Sequence, residues 1–120
     1  METVSIIDDD ENSNMFLSVY LEEKWKVTTF EDWEEALSAY EKDPPDLILL
    51  DISLPGIEGT EVLKKIRQMD GLKRVKVIAL TGYSLPKDRD KFLKQGFDDY
   101  IAKPVTDMSL FINKIEKCLR

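Results

Sequence analysis

The stretch DLILLD at Asp46–Asp51 decides the fold. Leu47–Leu50 are four large aliphatic residues in a row, with an aspartate at each end. A strand with one wet face alternates apolar and polar residues. An unbroken apolar run bounded by acids instead fits a strand buried on both faces, at the centre of a parallel sheet. It is far too short to span a bilayer, which takes about 20 apolar residues.

Reading outward toward the N-terminus, Asp43–Pro45 breaks whatever precedes the strand. Asp32 is placed to cap a helix reaching Tyr40, with Trp33, Ala36, Leu37 and Tyr40 turned inward. Lys26–Phe30 is rich in β-branched residues and reads as the second strand. Asn14–Glu23 carries Phe16, Val19, Tyr20 and Glu23 at helical spacing, with Ser13 or Asn14 as its cap. Thr3–Ile7 is the first strand. Toward the C-terminus, LPGIEG at Leu54–Gly59 is a loop, and Thr60–Met69 a helix with Val62, Leu63 and Ile66 inward. Val75–Gly82 is the fourth strand, and Lys87–Gln95 a helix closed by Gly96. Asp99–Pro104 is the fifth strand, and Thr106 caps a last helix containing Leu110, Phe111, Ile115 and Leu119. Trp25 and Trp33 are expected in the core or as partial cover, and the lysines at 64, 65, 73 and 76 on solvated faces. Strands alternate with helices throughout, which predicts an α/β fold with a parallel sheet covered on both sides.

At 120 residues the chain has the size of one domain and can bury about two-thirds of its unfolded surface. Hydrophobic residues make up 42% and charged residues 34%, as in soluble globular proteins. The first residues lack the pattern of a secretory leader. Cys118 is the only cysteine, so no internal disulfide can form, which fits a cytoplasmic setting. The net charge of −7 argues against a direct nucleic-acid face, and nothing suggests a membrane partner. The chain has no histidine. Histidine-based zinc sites, a catalytic triad and a histidine general base are thereby excluded. Any divalent site must be built from oxygen, which favours magnesium or calcium.

The polar residues at the strand ends form a pattern. Asp8 and Asp9 follow the first strand, Asp51 ends the third, Thr81 the fourth and Lys103 the fifth. In an open parallel sheet these carboxyl ends share one edge, where ligands bind. Clustered carboxylates hold their charge together only with a cation among them. A hard dication would meet that need, with the Lys103 ammonium balancing the remainder, and the pair would attract an oxyanion. A carboxylate beside such an ion can attack phosphorus. The acids after the first strand thus read as half of a metal site whose other half is Asp51.

The segments IIDDDE, LILLDISLPGIEG, VIALTG and DDYIAKP, in this order and spacing, resemble the receiver domain of two-component response regulators over the whole chain. The resemblance implies a flavodoxin-like doubly wound sheet of five parallel strands in the order 2-1-3-4-5, helices on both faces, as a single receiver domain over residues 1–120. It implies a phosphoacceptor at Asp51. It implies a magnesium ion held by Asp9, by Asp8 largely through water, by Asp51 and by the backbone carbonyl of Ser53. Thr81 and Lys103 would bind the phosphoryl group, and Lys103–Pro104 would be a cis peptide. Thr81 and Tyr100 would form the switch, and Ser53 and Tyr83 would tune phosphoryl lifetime, the Tyr83 ring shielding against water. The donor would be a histidine kinase or histidine phosphotransfer protein in trans. A downstream protein would read the surface of the fourth helix, fifth strand and fifth helix. Asp10 stands where glutamate is frequent and is not counted as a ligand. Glu58, Ile57 and Gly82 also depart from the commonest pattern.

Each residue has a plainer reading when taken alone. Asp8 and Asp9 can cap a helix, Asp51 can end a strand in a turn, Thr81 can be a β-branched strand residue, and Lys103–Pro104 can be a turn. Tyr100 can be half-buried packing, and only the resemblance makes it a switch. Two rival functions are weaker. An aspartate-nucleophile phosphohydrolase usually carries a second acid two residues after the nucleophile, where this chain has Ser53. A nucleotide or flavin binder needs a glycine-rich phosphate loop after the first strand, and acids stand there instead. A receiver-like binder that is never phosphorylated is disfavoured because every chemical position is filled.

Overall fold

The computed structural model describes residues 1–82 and 88–120. Its elements, in chain order, are β1 Thr3–Ile7, α1 Glu11–Leu21, β2 Lys26–Phe30, α2 Trp33–Lys42, β3 Leu47–Asp51, α3 Gly59–Gln68, β4 Lys76–Thr81, α4 Arg89–Gln95, β5 Asp99–Ala102 and α5 Met108–Leu119. The strands form one parallel sheet in the order β2-β1-β3-β4-β5. The expectations placed on Tyr83 and on a helix start at Lys87 lie outside the described residues.

All five residues of β3 are buried, as the run from Leu47 to Asp51 requires. Side chains alternate across the sheet, so each strand feeds two cores. Ile7, Ile48, Leu50, Val77 and Ala79 meet Ala36 and Tyr40 of α2, Val62, Leu63 and Ile66 of α3, and Phe92 of α4. Val4, Ile6, Leu47, Leu49, Ile78 and Leu80 meet Leu17 and Leu21 of α1, Trp25, and Phe111 and Ile115 of α5. Each large side chain buried this way contributes about 1.5–3 kcal/mol. Ser5 is a polar intrusion into the first core, and its hydroxyl pairs with that of Tyr40 at 2.5 Å. Burial pushes the Tyr40 phenol well above its usual range, and the Ser5 bond only partly opposes this.

Three helix starts differ from the sequence reading, that of α3 by one residue, at Gly59 and not Thr60. α1 begins at Glu11, not Asn14. Its cap is Asp10, whose carboxylate accepts the N–H of Asn12 at 3.0 Å and of Ser13 at 3.4 Å. Its buried stripe is Asn14, Leu17 and Leu21, while Phe16, Val19 and Tyr20 are exposed. α5 is capped by Asp107, which accepts the Leu110 N–H at 3.0 Å, and not by Thr106. Phe111 and Ile115 face the core, and Leu110 faces solvent. The fifth strand stops at Ala102, so Lys103 lies just beyond the ladder. Gly96 closes α4 in the left-handed region at φ 108°.

The order of the strands places the site. From β1 the chain steps outward to β2, then crosses back to β3 on the other flank of β1. The crossovers leave a crevice beyond the carboxyl ends of β1 and β3, where the winding reverses.

Candidate functional site

Asp8 and Asp9 follow β1, and Asp51 ends β3. The register aligns Ile7 with Leu50, so the two strands finish level. Asp8 is completely buried, Asp51 is 5% exposed and Asp9 is exposed. Each offers a carboxylate oxygen within 4.8 Å of the others. Thr81 at the end of β4 is buried beside them in the sheet, and its carbonyl accepts the Lys103 N–H at 2.8 Å. That bond brings Lys103 to the same edge. Its ammonium donates to Asp8 Oδ2 at 2.8 Å and to Asp51 Oδ2 at 3.2 Å. The Lys103–Pro104 peptide is cis. Of the expected site residues, Asp8, Asp9, Asp51, Thr81 and Lys103 therefore converge.

The turns after the strands hold the carboxylates. Asp51 Oδ1 accepts the Ser53 N–H at 2.8 Å, and Asp8 Oδ1 accepts the Asp10 N–H at 3.0 Å. Gly59 opens α3 so close to this turn that a Cβ on it would stand 2.7 Å from Ile52. Only a glycine lets the helix start against the residue following Asp51. Ser53 itself is exposed.

The electrostatics are unbalanced. Burial pushes the Asp51 carboxyl up; the Ser53 N–H pulls it down, the Asp8 charge raises it and Lys103 lowers it, with a net rise. Burial pulls the Lys103 ammonium down, but its bond to Asp8 and the charge of Asp51 more than reverse this. One ammonium, paired with Asp8 and Asp51, thus stands against three carboxylates, and the balance of charge favours a further cation. The donors are all hard oxygens, a set that fits magnesium. Asp8, Asp9 and Asp51 would hold it.

Tyr100 stands apart from the carboxylates, half-buried on β5. Its ring lies 5.5 Å from that of Phe92 in α4, and the Lys114 ammonium of α5 sits 4.7 Å above it. The same ammonium donates to the Tyr100 carbonyl at 2.7 Å and approaches Asp99 at 3.7 Å.

One residue beside the site escaped the sequence reading. Asn14 was legible only as a cap. It lies on the buried stripe of α1, and its Nδ2 donates to the Asp8 carbonyl at 2.8 Å. A polar residue in register with Leu17 and Leu21 was the available signal.

This fold and this acidic edge are those of a phosphoacceptor module. The sequence profile of the response regulator receiver domain matches residues 4–116, and the chain belongs to that family of two-component signalling domains. It is 32% identical to the polar-differentiation response regulator DivK of Brucella anthropi over 119 residues, covering 98% of this chain and 96% of that protein. The chemotaxis response regulator CheY4 of Vibrio cholerae superposes with a TM-score of 0.87 at 25% identity, covering 99% of each chain. The receiver domain of the sensor histidine kinase PA1611 from Pseudomonas aeruginosa superposes at 0.83 with 28% identity, covering 98% of this chain and 97% of that one. That domain carries a magnesium ion coordinated in its active-site cleft. No helix among the described residues is long and apolar enough to cross a membrane.

Proposed function

We propose that the chain is a phosphorylation switch in which Asp51 takes a phosphoryl group from a phosphohistidine on a histidine kinase or phosphotransfer protein. The observation that carries this reading is the buried Asp51 carboxylate, placed among Asp8, Asp9 and Lys103. A bound magnesium ion would offset the charge of the carboxylates and of the incoming phosphoryl oxygens. Asp8, Asp9, Asp51 and the Ser53 carbonyl are its ligands in this reading. One Asp51 oxygen attacks phosphorus. The phosphorus–nitrogen bond of the donor breaks, and the imidazole leaves with the bonding pair and takes up a proton. The Lys103 ammonium turns from the Asp51 carboxylate to the new phosphoryl oxygens, and the Thr81 hydroxyl donates to another.

The surface beside the pocket supports a protein donor. Met15, Phe16, Val19 and Tyr20 form an exposed apolar face on α1, with the Phe16 and Tyr20 rings edge to face at 5.3 Å. Phe16 also lines a groove with Ser13, Lys103, Pro104 and Val105, so this face runs up to the reacting edge. An apolar patch of this kind marks a docking surface.

The test is labelling by phosphoramidate, a small donor with the same phosphorus–nitrogen bond. Wild-type protein should gain one phosphoryl group only when magnesium is present, and Asp51→Asn none. Equal labelling of Asp51→Asn, or labelling indifferent to magnesium, would reject the proposal.

A further inference from the structure

Asn14 is at odds with its surroundings. It is 4% exposed, on the stripe of α1 that otherwise presents Leu17 and Leu21 to the core. Its Oδ1 is buried with no hydrogen-bond partner. An unpaired buried acceptor is a penalty that an apolar residue would avoid. What offsets it is the other end of the amide, where Nδ2 donates to the Asp8 carbonyl across six residues of chain.

That carbonyl belongs to the turn carrying the acids. The turn is pinned at three points. The Asp8 N–H donates to the Phe30 carbonyl at 3.0 Å, Asp8 Oδ1 accepts the Asp10 N–H at 3.0 Å, and Asn14 holds the Asp8 carbonyl at 2.8 Å. Asp9 lies between Asp8 and Asp10. Its exposed side chain forms no hydrogen bond among the described residues, yet its carboxylate stands within 4.8 Å of those of Asp8 and Asp51. Among the described residues it is therefore the backbone of this turn that sets where the Asp9 side chain starts, within reach of Asp8 and Asp51.

We infer that Asn14 is a positioning residue for the cation site, its amide fixing the Asp8–Asp10 turn so that Asp9 is aimed at Asp51 before any ion arrives. This rests on the proposed magnesium site. Asn14 touches neither the ion nor the phosphoryl group and acts through the Asp8 carbonyl. Without the tether the turn samples other conformations, and binding must first select the competent one.

The experiment titrates magnesium alone into the full chain by calorimetry and follows amide exchange in the same samples. Asn14→Leu should bind magnesium about tenfold more weakly, the low end of the roughly 10–100-fold loss seen when residues that orient metal ligands are removed. Exchange at Asp9 and Asp10 should quicken while the rest of α1 is unchanged. Leu17→Ala, one turn further on, opens a cavity and lowers stability but leaves the tether, so its magnesium affinity should match wild type. Asn14→Ala removes the donor with no added charge and less bulk to place, so weaker binding in this variant marks the lost bond, and it decides the matter if Asn14→Leu does not fold. Wild-type affinity in a folded Asn14→Leu, or a loss in Leu17→Ala as large as in Asn14→Leu, overturns the inference. A wild-type chain that binds no magnesium overturns the proposed site itself, and the inference with it.

Discussion

In the proposed reaction Asp51 would have to be buried enough to be held in place and ionised enough to attack. These demands conflict, and the rise of its carboxyl above the usual range, caused first by burial, is the result. The sign of the consequence follows from linkage. A carboxyl whose folded value lies above its unfolded one, about 3.9, contributes stability below the unfolded value. That contribution is lost as pH rises through the folded value. At neutral pH without a divalent ion, ionised Asp51 therefore strains the fold. Asp51→Asn should be more stable than wild type there, and the gap should close as pH falls. Urea midpoints from about pH 4 to about pH 8 measure this. Magnesium should raise the wild-type midpoint and narrow the gap at neutral pH. A gap that is constant across the range would mean that the Asp51 charge is not the cause.

Among the elements, α1 teaches most. Phe16, Val19 and Tyr20 are spaced i, i+3, i+4, as regular an apolar stripe as the one the helix actually buries. Periodicity says that a helix has an apolar side, but not whether the sheet or a partner covers it. This is why the spacing of Phe16, Val19 and Tyr20 marks a helix at α1 without telling which face is buried, while α2 and α3, with one apolar side each, are legible. The caps failed for a related reason. In Asp8–Asn14 and Thr106–Asp107 several adjacent residues can each cap a helix, and only the geometry chooses among them. The strands and the converging site were legible because burial on both faces leaves an unbroken apolar run, and parallel strands must end their side chains at one edge. Asn14 was not, because its meaning lies in its approach to a carbonyl six residues back. The exposed face of α1 makes its own prediction. Phe16→Ala should change stability by less than about 0.5 kcal/mol, as surface substitutions do. Labelling by phosphoramidate should be unaffected. Transfer from a phosphohistidine protein should slow about tenfold, equivalent to about 1.4 kcal/mol of docking energy. Equal slowing with both donors would place Phe16 in the reaction and not in docking.

For the molecule as a whole the question is whether one phosphoryl group can move the opposite face. Phosphorylated Asp51 would present new acceptor oxygens to Thr81 and Lys103. Hydrogen bonds to charged groups contribute about 1.5–3 kcal/mol each, so the two supply roughly 3–6 kcal/mol. Turning a population from 1:99 to 99:1 takes about 5.5 kcal/mol, so the two contacts are of the required size with little to spare. Part is already committed. Tyr100 lies beneath the Lys114 ammonium at 4.7 Å and beside Phe92, and moving its ring gives up a cation–π contact of about 0.5–1 kcal/mol. Drawing Thr81 toward the phosphoryl group would open space behind it, and β4 and β5 are paired directly at Thr81–Ala102, two residues from Tyr100. In the proposed switch the coupling would run from Thr81 to Tyr100 and on to Phe92 of α4 and Lys114 of α5, which touch that ring. Thr81→Ala should still accept a phosphoryl group at Asp51 but transmit little of it. Amide chemical shifts with and without beryllofluoride, a phosphoryl mimic, report this directly. Wild type should show large changes around Tyr100 and across Arg89–Gln95, and Thr81→Ala should change mainly at Asp8–Asp10 and Asp51–Ser53. Lys114→Ala should move the opposite way, with part of the activated pattern present before the mimic is added, since the clamp over Tyr100 is gone. A full wild-type response in Thr81→Ala would show that the signal crosses the sheet by another route.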